Sequence, residues 1–292
     1  MRSDDESTVG YLWLRVRPLA TEVEAFVFDV EIVAQERGRG LGRATMLAAE
    51  AAARSRDATV MRLNVFAHNA AARALYDSLG YAVEGAVLTK RLDPAPPSPG
   101  GPSVRLRPMT EQQYVDLRPA LEADHAADIV RSGVLPAAEA VRKAADDLHR
   151  LLPQGPATPG HRLWTAYDDP DDPDDPDRNP VGHLWVQLQE RSDGLHAFGY
   201  DFVVREEWRG QGYGRAVLHA AEQACRALGA TSAGQAVSGF NEAANARCAH
   251  SGFELAAQTL VKPLRPVDAA PQEPLPPARD AAWVPGCGRP GR

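Results

Sequence analysis

Glu36–Ala44 reads ERGRGLGRA, and Trp208–Ala216 reads WRGQGYGRA. In both stretches three glycines alternate with other residues, after an apolar strand-like segment and before an alanine-rich segment with helical periodicity. Glycine leaves the backbone N–H groups unobstructed, and a helix N-terminus carries roughly half a positive charge. Each stretch is therefore interpreted as a strand-to-helix loop that holds an anion such as a phosphate. A tight turn with a purely structural role is the alternative, and neither stretch has the spacing of a Walker loop or of a dinucleotide fold.

The two loops belong to an internal repeat. Residues 9–92 align with residues 181–264 at a constant offset of 172, without a gap and with 29 identities in 84 positions. Between the copies, residues 93–103 read DPAPPSPGGPS, and such a composition is typical of a linker. We predict a partial N-terminal domain over residues 1–92, a linker over 93–103, a complete domain over 104–266 and a disordered tail over 267–292.

The pattern of each copy predicts an α/β fold, with an α+β mixed sheet. In copy two, Asp193-Gly194 is a hairpin signal, and apolar residues recur at helical spacing after Gly214. A further strand follows that helix, and a strand–helix–strand order requires a parallel pair with a right-handed crossover. We expect each copy to form a mostly antiparallel sheet with one parallel, splayed strand pair and flanking helices.

The copies differ in what precedes them. Upstream of Val181 we predict a strand over Val104–Arg107, a helix that starts at the capping box of Thr110 and Gln113, and a second helix after Pro136. Copy one lacks these elements, so its Val9–Val16 strand is predicted to be an unprotected edge. That edge is expected to pair with the other domain or with a second chain in a homodimer. The alternative is that further coding sequence lies upstream of Met1.

Composition narrows the class of protein. With 44% hydrophobic and 24% charged residues, the 292-residue chain matches ordinary globular proteins. A net charge of −7 argues against nucleic acid as the main partner, and no apolar run is long enough for a membrane span. Three cysteines without metal-ligand spacing fit a cytoplasmic protein without a metal. The acidic run over residues 168–180 is interpreted as a solvated loop, because it lacks the glycine and glutamate of a calcium loop.

A second motif completes a family signature. About thirty residues after the loop, copy one reads HNAAARALYDSLGY (His68–Tyr81), and copy two reads FNEAANARCAHSGF (Phe240–Phe253). Together with R-G-x-G-x-G-R-A, this pattern resembles the GNAT superfamily of acetyl-CoA-dependent N-acetyltransferases. Copy one matches the second motif almost letter for letter, whereas copy two keeps only its framework.

The resemblance implies a site for acetyl-CoA in each copy. The glycine loop would hold the diphosphate, backbone groups at the end of the preceding strand would bind the pantetheine, and an asparagine that also caps the next helix would touch the cofactor. In copy one these residues are Ile32, Val33, Arg37, Gly38, Arg39, Gly40, Leu41, Gly42, Arg43 and Asn69. In copy two they are Val204, Arg205, Arg209, Gly210, Gln211, Gly212, Tyr213, Gly214, Arg215 and Asn241.

The resemblance also implies catalytic roles. Tyr76 matches the family's helix tyrosine, which is placed to protonate the leaving thiolate, although a core aromatic is the alternative interpretation. In copy two Cys248 takes that position, as a proton donor or as a small buried apolar residue. Asp29 and Asp201 occupy equivalent positions in the strand before the loop and are candidate general bases.

We therefore predict an N-acetyltransferase in which a primary amine directly attacks acetyl-CoA in a ternary complex. Copy two is expected to carry the activity because only this copy has a complete acceptor site. The alternative is a non-catalytic tandem module that binds acyl-CoA as a sensor or scaffold, and a nucleotide-binding protein of another fold would require the repeated motif to be coincidental. Small amines, amino sugars and protein lysines all remain open as acceptors.

Overall fold

The computed structural model describes residues 8–92, 100–168, 180–238 and 251–264. The chain divides into two compact units. Unit 1 comprises residues 1–86, 130–136 and 256–276, and unit 2 comprises residues 87–129, 137–255 and 277–292. Among the described helices, none combines the length and the apolar character that a membrane span requires. The predicted tail, most of the predicted linker and the acidic loop lie outside the described residues.

Unit 1 is built mainly from copy one. Its strands lie in the order β1-β2-β3-β10. Strand β1 is the outer strand of this order. That its other edge pairs with a second chain stays a prediction. The elements are β1 (Gly10–Pro18), β2 (Val23–Ile32), α1 (Leu41–Arg54), β3 (Val60–Phe66), α2 (Ala70–Ser78) and β10 (Glu254–Pro263).

Unit 2 contains the elements that copy one lacks. Its strands lie in the order β4-β9-β8-β7-β6-β5. The first strand and the two helices that the sequence predicts upstream of Val181 are present as β5, α3 and α4. The elements are β4 (Ala82–Arg91), β5 (Val104–Pro108), α3 (Glu111–Arg131), α4 (Ala137–Leu151), β6 (His161–Asp168), β7 (Pro180–Arg191), β8 (Gly194–Val204), α5 (Tyr213–Ala227) and β9 (Ala230–Ser238).

Each unit contains one parallel strand pair among antiparallel ones, which confirms the predicted fold class. Strand β2 pairs in parallel with β3 from Glu24 to Val27, and β8 pairs in parallel with β9 from Leu195 to Gly199. Beyond these residues β2 continues to Ile32 and β8 continues to Val204. The two strands of each pair therefore separate as they approach the glycine loop, as the predicted splayed pairs require.

The last strand of each copy is exchanged. Strand β10, from copy two, pairs antiparallel with β3, from copy one. Strand β4, from copy one, is the neighbour of β9, and Leu92 N–H donates to Thr231 O at 2.9 Å. Residues on the exchanged strands or directly after them also contribute to the core of the host unit. Leu260 and Leu264 lie in the core of unit 1, and Leu92 lies in a core of unit 2.

Local signals in the sequence match the structure at the termini of elements. Thr110 Oγ1 accepts the N–H of Gln113 at 3.2 Å, and Gln113 Oε1 accepts the N–H of Thr110 at 3.0 Å. This is the reciprocal capping box at the start of α3. Arg191 pairs with Gly194 across a two-residue turn, which confirms the hairpin between β7 and β8.

Candidate functional site

A β-bulge in copy two places an aromatic ring and a carboxylate on the same side of the sheet. Trp185 on β7 pairs with Asp201 on β8, but the next residue, Val186, pairs with Gly199, so Tyr200 is the extra residue. Side chains of successive strand residues normally point to opposite faces, and a bulge interrupts that alternation. As a result Tyr200 stacks on Trp185 with centroids 4.6 Å apart, while Asp201 Oδ2 lies 2.7 Å from Nε2 of His183.

The same arrangement recurs in copy one at the offset of 172. The register of β1 and β2 shifts between Trp13 and Leu14, which makes Phe28 the extra residue. Phe28 stacks on Trp13 with centroids 4.7 Å apart, and the hydroxyl of Tyr11 donates to Asp29 Oδ2 at 2.6 Å. Each copy therefore has two stacked aromatic rings beside an aspartate that is held by a hydrogen bond.

The two sets differ in exposure. Trp13 is 62% exposed and Phe28 is 42% exposed, whereas Trp185 is 3% exposed. In unit 2, residues of α3 and α4 lie over the aromatic pair and line a partly open pocket with it. Its lining consists of Leu121, Asp124, His125, Asp128, Leu148, Leu151, Trp185, Tyr200 and Asp201.

Asp201 is a buried carboxylate of this pocket. Its side chain is 5% exposed, and its Oδ1 has no hydrogen-bond partner in the described part of the chain, although Oδ2 contacts His183. A buried carboxylate oxygen without a donor is costly unless a ligand or solvent satisfies it. The structure therefore places the predicted base of copy two, itself buried, in the lining of this pocket.

Two neutral histidines support the walls of the pocket. Burial lowers the pKa of His161 to about 4, and its Nδ1 accepts the indole N–H of Trp185 at 2.8 Å. Burial also lowers the pKa of His125 to about 4, against the opposing effect of Asp147, whose Oδ2 lies 3.1 Å from His125 Nε2. Both rings are uncharged at neutral pH, so the position of the Trp185 ring depends on a neutral acceptor.

The glycine loop of copy one is open. Gly40 has a φ of 78° and precedes the first residue of α1, and no atom lies within 4 Å of a Cβ built on Gly38 or Gly40. Ala44 N–H donates to Gly40 O at 3.0 Å, so the amides of residues 41–43 lie ahead of the intrahelical hydrogen bonds. This geometry suits an anion such as a diphosphate.

The loop of copy two has the same backbone but a more crowded surface. Gly210 and Gly212 have φ values of 75° and 91°, and Gly212 precedes α5. A Cβ built on Gly212 would lie 3.2 Å from Cδ of Pro102, whereas no atom lies within 4 Å of one on Gly210. Pro102, which lies two residues before β5, thus packs against the second glycine loop.

The loop arginines turn back onto the preceding strand. Arg37 Nε donates to Ile32 O at 2.9 Å, and Arg209 Nε donates to Val204 O at 3.0 Å. The N–H of Val33 donates to Val9 O at 3.0 Å, and that of Arg205 donates to Val181 O at 2.9 Å. These backbone groups, which the resemblance assigned to pantetheine, already have partners within the chain.

Tyr76 and Asn69 lie where α2 was expected to hold them. Asn69 Oδ1 accepts the N–H of Ala72 at 3.1 Å, so the asparagine caps the helix. Tyr76 is 5% exposed in the core of unit 1, and burial together with the charge of Asp29 raises its pKa. The ring is therefore a core residue, and its hydroxyl stays protonated at neutral pH. Asn241 and Cys248 lie outside the described residues.

Several residues of the site are not indicated by the sequence motifs. His183 and Trp185 stand in the repeated VGHLWV segment, and Asp124 and Asp128 are four residues apart on α3. Comparison of the two copies position by position would have indicated Trp185, because it repeats Trp13. Within the described residues, no group of three or more His, Cys, Asp or Glu side chains has an arrangement that holds a metal ion.

Comparison with known proteins identifies the family. The sequence model of the Acetyltransferase (GNAT) family matches residues 1–81 and 138–253. Because the match covers more than half of the chain and both repeats, the chain belongs to this family. The tandem arrangement that the offset of 172 indicates is thus a tandem of GNAT units.

Relatives extend the comparison. The chain is 34% identical over 92 residues to the uncharacterized N-acetyltransferase YycN of Bacillus subtilis, a match that covers 32% of this chain and 59% of that protein. It is 41% identical over 76 residues to mycothiol acetyltransferase of Thermobispora bispora, and this match covers 25% of this chain and 26% of that protein. The chain thus spans less than two thirds of the length of either relative.

A solved structure supports the fold over most of the chain. A GCN5-related N-acetyltransferase from Sphaerobacter thermophilus superposes with a TM-score of 0.54 at 18% identity. The match covers 91% of this chain and 80% of that one. At this level of identity, the similarity shows a shared fold and nothing more.

Proposed function

We propose that the chain is an acetyl-CoA-dependent N-acetyltransferase, that it acts on a primary amine, and that copy two carries the reaction. The observation that carries the proposal is the pocket of unit 2, in which Asp201 lies buried on β8, the strand that leads to the second glycine loop. Copy one has an open loop and Tyr76, but its equivalent aromatic pair is exposed. Family membership supports acetyl transfer, whereas the pocket around Asp201 supports copy two as the site.

The residues present fit acetyl-CoA. The positive φ values of the loop glycines and the space above Gly38, Gly40 and Gly210 give a diphosphate access to helix N-termini. The separation of β8 from β9 beyond Gly199 provides a gap for an extended chain such as pantetheine. When bound, acetyl-CoA supplies the thioester whose acetyl group is transferred.

The proposed transfer has a simple balance. An acceptor that binds as a protonated amine first loses one proton and so becomes the nucleophile. Its nitrogen then forms a bond to the acyl carbon as the carbon–sulfur bond breaks, and it loses a second proton. The departing sulfur takes up one proton, so one proton in total is released to solvent. Asp201 is proposed to accept the proton from the amine, with His183 holding the carboxylate through its Nε2. The chain contributes to the reaction rate in two ways, by orienting the reactants in the pocket and by this proton transfer. Proton transfer of this kind typically accelerates a reaction ~10² to 10⁴-fold.

Release of free CoA thiol from acetyl-CoA, measured with the full-length protein and a panel of primary amines, tests the proposal. We expect thiol release that depends on the amine, with an N-acetyl product identified by mass spectrometry. Acetyl-CoA binding without amine-dependent release would contradict catalysis and favour the non-catalytic acyl-CoA-binding module.

Matched variants of the repeat identify the working copy. Asp201→Asn should lower kcat by ~10²-fold or more, since the amide cannot accept the proton. Asp29→Asn is the equivalent change in copy one and should have a much smaller effect. The reverse result would assign the reaction to copy one, and thermal unfolding of both variants shows whether either change affects folding.

A further inference from the structure

We propose that the pocket of unit 2 selects a small protonated amine whose body is apolar, in preference to an amino sugar or a lysine of a folded protein. This inference rests on the proposed function, because it names the acceptor class of that same site. It begins with Asp201, whose unpartnered Oδ1 lines the pocket while its side chain is 5% exposed. A protonated amine supplies both the charge and the N–H donors that such an oxygen lacks.

The aromatic pair supports a cation at the same place. Trp185 and Tyr200 stack with an interplanar angle of 17° and both line the pocket next to Asp201. The faces of aromatic rings attract cations, and Trp is the strongest of them. No lysine or arginine occurs among the residues that line the pocket, and burial keeps His125 uncharged at neutral pH.

The rest of the lining indicates the body of the ligand. Leu121 from α3 and Leu148 and Leu151 from α4 form an apolar wall opposite the strands. Hydroxyls of an amino sugar that face these leucines would have no partners, and this costs binding free energy. Asp124 and Asp128 also line the pocket, but both already interact with other groups of the chain.

The equivalent residues of copy one can be compared with those of the pocket in copy two. Copy one keeps the stacked pair and the aspartate, as Trp13, Phe28 and Asp29, but these residues are exposed. Solvent weakens the attraction of a cation to exposed groups. We therefore expect amine binding only in unit 2, where Trp185 and Asp201 are buried.

Calorimetric titration of the full-length protein without acetyl-CoA tests the inference. The probes are 2-phenylethylamine, its uncharged counterpart 2-phenylethanol, and glucosamine. We expect 2-phenylethylamine to bind at least tenfold more tightly than either of the others, since a charge-assisted hydrogen bond and the apolar contact are both required. Equal affinity for the amine and the alcohol, or preference for glucosamine, would overturn the inference.

Two variants locate the effect. Asp201→Asn should weaken 2-phenylethylamine roughly ten- to hundredfold and leave 2-phenylethanol unchanged. Asp146→Asn removes the same charge from an exposed position of α4 and should change neither ligand. An equal loss in both variants would contradict the assigned position, and the amine–alcohol comparison in the unmodified protein decides the inference even where a variant does not fold.

Failure of this inference differs from failure of the proposed function. If 2-phenylethylamine binds but no CoA thiol is released, the acceptor site stands and acetyl transfer is wrong. If thiol is released with other amines while 2-phenylethylamine does not bind, transfer stands and the acceptor class is wrong.

Discussion

Lys262 Nζ lies 2.7 and 2.8 Å from the two carboxylate oxygens of Glu50, a residue 212 positions earlier in the chain. The equivalent pair of the repeat, Lys90 and Glu222, makes the same contacts at 2.7 and 2.9 Å. Each lysine lies on an exchanged strand, and each glutamate lies on the helix that follows a glycine loop. Both glutamates are buried, so these ion pairs attach the exchanged strands to their host units.

The first prediction concerns these ion pairs. Lys262→Met should lower the free energy of unfolding by roughly 2–4 kcal/mol, because a buried carboxylate that loses a partner keeps its desolvation cost. Lys90→Met should behave similarly through Glu222. Denaturant unfolding measures both. Arg142→Met, an exposed change on α4, serves as control, and an effect of Lys262→Met no larger than the control would contradict the role of the pair.

The second prediction concerns the copies as separate chains. Residues 1–103 lack β10 and therefore the buried Leu260 and Leu264, so this half should not unfold cooperatively when expressed alone. Coexpression with residues 104–292 should restore a complex with the circular dichroism and melting transition of the intact chain. Cooperative unfolding of residues 1–103 alone, at the stability of the intact protein, is the contrary outcome.

The third prediction is acid sensitivity. Burial lowers the pKa of His125, His161 and His196 to about 4 in the folded chain, against about 6.5 when unfolded. The unfolded chain therefore binds protons first, so the stabilisation is complete above pH ~6.5 and is lost as the pH falls towards 4. The loss is at most ~1.4 kcal/mol per pH unit for each histidine.

Unfolding by urea between pH 7.5 and 4.5 measures this effect. His161→Gln keeps an acceptor for the indole of Trp185 but cannot take up a proton, so it should reduce the slope of stability against pH. A slope that is the same in the variant, or stability that is constant over this interval, would show that His161 does not titrate as its burial implies.

The fourth prediction concerns Pro102. Its ring packs against Gly212 in the second glycine loop, whereas Gly40 in the first loop has no such neighbour. Pro102→Gly should raise the affinity of the copy-two site for acetyl-CoA a few fold, because the ring no longer has to move. Calorimetric titration with acetyl-CoA measures this affinity. A Gly38→Asp background removes binding at copy one, so that only copy two is measured. Unchanged or weaker binding would mean that Pro102 does not obstruct the ligand.

Sequence patterns predicted the strands and helices and the position of both aspartates because these depend on local periodicity and on the offset of 172. The bulges at Phe28 and Tyr200 were not predicted, since an extra residue leaves the apolar pattern almost unchanged. Regular alternation along β8 would place Tyr200 and Asp201 on opposite faces of the sheet, so the sequence pattern does not indicate that both share one site with Trp185.

The strand exchange could not be predicted for a different reason. Lys90 and Lys262 hold equivalent positions, as do Glu50 and Glu222, so either last strand can satisfy either helix chemically. Leu92 and Leu264 are equivalent as well. The choice between a strand's own copy and the other one depends on chain connection and long-range packing, which a repeat with near-identical contacts does not encode locally.

The central claim is that the two glycine loops hold the diphosphate of acetyl-CoA, and calorimetric titration of matched loop variants tests it most directly. Asp and Asn both tolerate the left-handed backbone, and the space above Gly38 and Gly210 accommodates them. Gly38→Asp and Gly210→Asp should each abolish one binding site by charge repulsion, the double variant should abolish both, and the Asn variants should retain both. Unchanged acetyl-CoA binding by the double Asp variant would contradict the claim.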